Sequence, residues 1–444
     1  MKRKKVAIAL FRTPESGGEY QYAMILAECL KRFSEAHYEL IAICEEHWRT
    51  WCETNDTRCI VMKWPEGTIP QMERNLRFPL YSRIYNAYKT ELGKIIRQEK
   101  IDILFLTQQL MYVPNLKVKI ITPVHDLMHR YESSFAEVRG SYEAREILFK
   151  CQARYADYIL VDSQLGKKQF EESYLCKKSF PGLKETVKKH ISGINQKYVD
   201  INEKGRLYSA FLDVIKGIRI TKRCLVEYAD YFLIDTKLCR RKPHLISIPF
   251  IVPEHITDIQ EEFVEVPDKY VFYPAQFWSH KNHINLVKAI HILKTTIKDI
   301  QLVLVGSKID CYEKIEKYIQ DNDLEENITI LGFVSNENMT YLYRQAAGLI
   351  MPTYFGPTNM PPLEAMALGC PVAVSNKYAM PEQVGEAGLL FNPDSPDEIA
   401  GCIRKLWTDT RLREKMIEMG YQRMKEWTRE DFGNEIFKVV EACL

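Results

Sequence analysis

The chain has 444 residues, 46% of them hydrophobic and 27% charged, which fits two or three soluble globular domains whose cores need no covalent staples. Its 61 basic and 59 acidic residues leave a net charge of +2, so no overall field points to nucleic acid, and no stretch approaches the roughly 20 apolar residues of a membrane span. The 12 cysteines stand singly without a CxxC pair; this spacing supports neither a zinc nor a thioredoxin-like site, and we expect a cytoplasmic protein with reduced thiols.

The N-terminus, MKRKKVAIALFRTPE, is basic, but its apolar run ends after about six residues, too short for a signal peptide. Lys2 to Lys5 suit either a peripheral contact at the inner face of a membrane or a solvated lead into the first strand. That strand is VAIAL (6–10), followed by Gly17-Gly18 and a helix-period stretch from about Tyr20 to Phe33. Further strands are expected at 39–44, 101–106, 118–124 and 157–162, with helix from about 80 to 98. RYADYILVDSQLGKK (154–168) and EYADYFLIDTKLCRR (227–241) share seven identities in register at an offset of 73, which reads as a local duplication around a Lys-rich insertion at about 172–226.

The Pro-punctuated stretch IPFIVPEHITD (248–258) reads as a linker. Beyond it, strands are expected at 270–274, 300–306, 328–333, 348–352, 371–375 and 388–391. Ser395-Pro396-Asp397-Glu398 has capping-box spacing. The expected organisation is therefore α/β: a first domain over 1–247, a second over 259–427, and a final helix (428–444) packing back on the first. Apolar runs alternating with helices imply parallel sheets, with ligands at the carboxyl ends of their strands.

Several residues fall at those ends. In YFGPTNMPPLE (354–364), Pro361-Pro362 are expected to open a helix, whose start carries free N–H groups and positive charge suited to phosphate. Glu364 would lie in its first turn, either holding a ribose diol or complementing the helix dipole. Lys281, in the loop after YVFYP, is placed to neutralise a diphosphate leaving group; the alternative is a plain surface lysine. His125, followed by Asp126, ends a strand of the first domain, and either faces the cleft or is structural. Gly17-Gly18 would let backbone approach a phosphate or sugar, although no G-x-G-x-x-G fingerprint is present.

Together these segments resemble the group 1 glycosyltransferases, a retaining family of GT-B fold, most closely over about 268–395, through HKNHINLVKAI, ILGFVSNENMTYLYRQA, FGPTNMPPLEAMALGCPVAVS and PEQVGEAGLLFNP. The resemblance implies two Rossmann-like doubly wound domains facing a cleft. It implies a ribose-holding role for Glu364, which matches the second glutamate of an E-x7-E motif, and a diphosphate role for Lys281. It implies base contacts at Phe333 and Val334, and diphosphate and sugar contacts around Thr358, Asn359 and Met360. It also implies sugar contact at His125 and phosphate contact at Gly17 and Gly18. Two positions depart from the pattern: Gly356 stands where the first glutamate belongs, and Gln276 where an arginine usually precedes the lysine. Both belong to the expected donor site.

The expected activity is transfer of a hexose-type sugar from a nucleoside diphosphate sugar to a glycan or lipid-linked acceptor, with retention and without metal or other cofactor, in cell-surface polysaccharide synthesis. Two rival readings are a GT-B-fold nucleotide-sugar epimerase and a non-catalytic sugar-nucleotide-binding protein.

Overall fold

Short runs of consecutive apolar residues bury both faces of a strand, and here they build two all-parallel sheets. The structure, a computed structural model, describes residues 3–65, 67–77, 79–175, 242–257, 259–356 and 358–444. The first sheet contains β1 (Lys5–Leu10), β2 (Glu39–Cys44), β3 (Arg58–Val61), β4 (Ile103–Leu106), β5 (Lys119–Val124), β6 (Tyr158–Val161) and β7 (His244–Ser247), in the order β3-β2-β1-β4-β5-β6-β7. The second contains β8 (Val271–Pro274), β9 (Leu302–Val305), β10 (Ile328–Ile330), β11 (Gly348–Met351), β12 (Val372–Ser375) and β13 (Gly388–Phe391), in the order β10-β9-β8-β11-β12-β13. Strand order reverses beside β1 in the first sheet and beside β8 in the second. Those are the points where loops diverge to opposite faces and leave a crevice.

Helices cover both faces of each sheet. Residues of Gly18–His37 and Arg429–Glu441 bury with β1 and β2 in one apolar cluster. Phe33 stacks on Phe437 with ring centroids 4.6 Å apart, and Arg429 pairs with Glu28 at 3.0 Å. The last helix of the chain therefore packs on the first. Thr428 and Asp431 form its capping box.

The chain crosses from the first sheet to the second after β7. Ile248 and Ile251 are buried against the first sheet's cluster and Ile256 against the second's. The return crossing is pinned to it: Trp427 Nε1 donates to the carbonyl of Pro249 at 3.0 Å.

Several local expectations are corrected. The helical stretch at about 80–98 is two helices, Pro79–Lys89 and Glu91–Glu99. Thr90 adopts extended backbone between them, and its hydroxyl caps the second by accepting from the Gly93 N–H. At 395–398 half the capping box forms: Ser395 Oγ accepts from the Glu398 N–H, but the Glu398 carboxylate takes the Asn392 N–H. The run at 328–333 pairs as strand only to Ile330. Strands β3 and β7 add to those expected. Of the insertion expected at about 172–226, the described residues reach 175; the second copy of the repeat, 227–241, lies outside them.

Candidate active site

The loops at both reversal points meet in the crevice between the sheets. After β1, Gly17 turns the chain with φ +61°, and a 20-residue helix starts at Gly18. A side chain at Gly17 would have room, so its backbone angle is what requires glycine. After β11 comes the loop to Asn359, then the helix Met360–Ala367. A Cβ on Gly18 would stand 4.0 Å from Met360 Sδ, so the two helix starts face each other. Each presents the positive end of a dipole; free N–H groups come mainly from the Gly18 start, because Pro361 and Pro362 have none and the Asn359 N–H is taken by Gln383. An anion between them is favoured twice.

Lys281 enters the same place from the loop after β8. A short 3-10 turn, Ser279–Lys281, is closed by Asn282 in the left-handed conformation (φ 60°), which asparagine tolerates. Asn282 Nδ2 donates to the carbonyls of Pro352 and Pro393 at 3.0 and 2.8 Å, bolting this loop to those after β11 and β13. The Lys281 ammonium donates to Asn359 Oδ1 at 3.4 Å, and among the described residues no carboxylate pairs with it. Burial lowers its pKa to about 8. A buried cation with one long, neutral hydrogen bond is a group waiting for an anion.

Glu364 lies deeper. It is the fifth residue of its helix and stands in the second turn, not the first, because the helix begins at Met360, with Asn359 as its cap. Pro361 and Pro362 occupy the second and third positions, where their missing N–H groups cost nothing. Burial raises the Glu364 carboxyl to about 6, and Tyr343 OH donates to Oε2 at 2.7 Å. With that oxygen engaged, lone pairs remain for a ligand's hydroxyls.

The loop between is tightly held. Gln383 clamps Asn359 on both sides, its Oε1 accepting from the Asn359 N–H at 3.0 Å and its Nε2 donating to the carbonyl at 2.6 Å. Thr358 Oγ1 reaches across the cleft and donates to Asp162 Oδ2 at 2.6 Å. Asp162, just beyond β6, is a site residue that sequence reasoning passed over as the end of a strand. Burial pushes its carboxyl up to about 8, so it sits neutral at pH 7 and adds no repulsion for an anion nearby. Met360, whose backbone is expected at the donor site, buries its side chain with the first domain's core, joining the two halves by apolar contact.

His125 follows β5 directly, edge-on to Tyr22 with centroids 4.7 Å apart and 5.2 Å from Phe250. Burial lowers its pKa to about 4, so the imidazole is neutral and suited to orienting a hydroxyl rather than carrying charge. Its loop is held by Gln109 Oε1, which accepts from the His125 and Asp126 N–H groups.

The remaining expected residues lie further out. Phe333 is 87% exposed and Val334 half-buried, in the loop after β10. Strand β10 lies two places from β8 in the sheet. Gln276 Oε1 accepts from Trp278 Nε1 at 2.9 Å. Gly356 takes φ +116° in the tip of the Asn359 loop.

Residues 255–423 match the family model of glycosyl transferases group 1. Over 163 residues the chain is 30% identical to O-antigen chain mannosyltransferase B of Escherichia coli, covering 36% of this chain and 43% of that protein. Over 149 residues it is 26% identical to the O-antigen chain mannosyltransferase RfbU of Salmonella typhimurium, covering 33% and 41%. The matches thus span less than half the length of these curated relatives. Among solved structures, Anabaena Alr3699/HepE in complex with UDP and glucose is similar with a TM-score of 0.59 at 13% identity, over 98% of this chain and 99% of that one. The fold is GT-B, and the family match lies in the half that carries Lys281 and Glu364.

Proposed function

We propose that the chain is a retaining hexosyltransferase that moves a sugar from a nucleoside diphosphate sugar to a glycan or lipid-linked acceptor in cell-surface polysaccharide synthesis. The observation that carries this reading is the buried Lys281 ammonium, which has no carboxylate partner among the described residues and reaches Asn359, the cap of one of the two helix starts. A diphosphate supplies the missing anion, and the Glu364 carboxylate, held by Tyr343, is our choice for the ribose partner. The relatives named above are mannosyltransferases, which makes mannose the first sugar to test, and the Anabaena neighbour holds UDP, which keeps uridine among the bases.

In the proposed reaction the acceptor oxygen bonds to the anomeric carbon as the bond to the diphosphate oxygen breaks on the same face. The acceptor proton passes to the leaving phosphate. Lys281 and the helix N–H groups take up the charge as it develops, which needs no metal. Neutral His125 positions the sugar, and closing the cleft excludes water. No described helix is long and apolar enough to cross a membrane. We place the protein in the cytoplasm, with the acceptor reached from the inner membrane face.

The test is product formation from a panel of UDP-, GDP- and dTDP-sugars with lipid-linked and oligosaccharide acceptors. Glu364→Ala should lower kcat/KM about 100-fold with the fold intact, because the ribose loses its carboxylate partner. Conversion of the nucleotide sugar without an acceptor would identify an epimerase instead, and donor binding without turnover a non-catalytic protein.

A pH profile follows from the same pair. Glu364 accepts from hydroxyls when ionised, above about 6, and Lys281 holds a diphosphate when protonated, below about 8. The kcat/KM for the donor should therefore be bell-shaped with its plateau between those values. A rate still rising through pH 9 would remove Lys281 from the role.

A further inference from the structure

Three of the nine described cysteines meet at one place away from the cleft: the sulfurs of Cys44, Cys52 and Cys59 lie within 4.8 Å of one another. Cys44 ends β2, Cys59 stands in β3, and Cys52 lies on the helix Arg49–Thr54 that joins them. Their convergence follows from register. Ala42 pairs with Cys59, so Cys59 shares a sheet face with Ala42 and, two residues on, with Cys44. The helix Arg49–Thr54 lays Cys52 on that face, and all three join the same apolar cluster. Separations of seven and six residues give no zinc-motif spacing, which is why the sequence carries no warning of the site.

We propose that Cys44, Cys52 and Cys59 bind one thiophilic metal ion, Zn(II) or a softer cation, through three thiolates, with the fourth position open on the Cys59 side. A tetrahedral Zn(II) with Zn–S bonds of about 2.3 Å has S···S edges of about 3.8 Å, so the sulfurs have at most about 1 Å to close. Small χ1 adjustments supply that. Cys44 and Cys52 are sealed from solvent while Cys59 is half-buried, which gives an entry path and room for a water or small-molecule ligand. Each thiol loses its proton to solvent on binding.

The site is a clip on a weak edge. β3 is a four-residue outer strand, paired to β2 alone. Between Cys44 and Cys52 lies the turn Glu46–Trp48, and Trp48 Nε1 donates to the Arg12 carbonyl at 3.0 Å while its ring packs on Tyr20 at 5.1 Å. Arg12 and Tyr20 flank the Gly17-Gly18 loop. A metal there braces the wall behind one of the two helix starts without touching the cleft.

The full chain, purified under reducing conditions and stripped with chelator, is titrated with Zn(II) and separately with Co(II). We expect one ion per chain, thiolate-to-metal charge-transfer absorption with Co(II), and a thermal midpoint about 5 °C higher at a Zn(II) concentration about 100-fold above Kd. Cys52→Val, apolar and similar in size, should lose all three signals while remaining folded. Cys29→Ser, in the same core but outside the cluster, should keep them. Failure of the wild type to bind either ion, or binding retained by a variant with Cys44, Cys52 and Cys59 all replaced by serine, overturns the proposal. So does a disulfide within the trio in the reduced preparation.

Discussion

Replacing Lys281 with methionine is expected to lower transfer about 100- to 1000-fold and, at the same time, to make the ligand-free protein more stable. The first effect is the loss of a preorganised cation at the leaving diphosphate, where one such donor is worth about that much. The second follows from burial. The Lys281 pKa drops from 10.5 to about 8 because the ammonium is desolvated with no carboxylate beside it among the described residues. A shift of that size corresponds to about 3 kcal/mol of strain in the charged form at pH 7.

The sign fixes where the gain shows. The folded state holds the proton less tightly than the unfolded one, so the cost is complete below pH 8 and gone above the unfolded value near 10.5. The methionine variant should therefore gain most in denaturant midpoint at pH 7 and gain little at the alkaline end. An inactive variant with unchanged or reduced stability at pH 7 would mean that the lysine is paired in solution and is no empty diphosphate seat. An active variant would remove it from the site altogether.

Much of this arrangement was legible because apolar runs such as ELIAIC and IQLVLVG have no use except as buried parallel strands. Loops that follow such strands lie at the carboxyl edge of the sheet whatever their sequence, which puts Lys281, His125 and Gly356 at that edge from pattern alone. What stayed hidden depends on partners distant in sequence. β3 reads RCIV, half-exposed at the sheet edge, and carries too weak a pattern to separate from loop. Asp162 looked like the end of a strand because its partner, Thr358, lies 196 residues away. The cysteine trio needed β2 and β3 in register to exist at all. Glu364 was placed one residue too near the helix start because the two prolines drew that start to themselves, whereas Met360 begins the helix and Asn359 caps it.

Restoring the missing glutamate at Gly356 is expected to abolish transfer rather than improve it, by about 100-fold or more. Gly356 adopts φ +116°, a region that side chains pay about 1–3 kcal/mol to enter. A Cβ there would stand 2.7 Å from Asn359 Nδ2 and 2.9 Å from Oδ1. Asn359 has nowhere to retreat: its backbone is clamped by Gln383, its Nδ2 donates to the Gly356 carbonyl, and its Oδ1 accepts from Lys281. A side chain at 356 thus displaces the residue that positions the lysine, whatever its charge. Gly356→Ala separates the two causes, since it adds the Cβ without a carboxylate and should lose most of the same activity. If Gly356→Glu instead transfers faster than the wild type, the loop is an eroded copy of the E-x7-E site. If both variants fail and the wild type transfers, the glycine is part of a different sugar seat, one in which the amide of Asn359 stands where a carboxylate would otherwise reach the sugar.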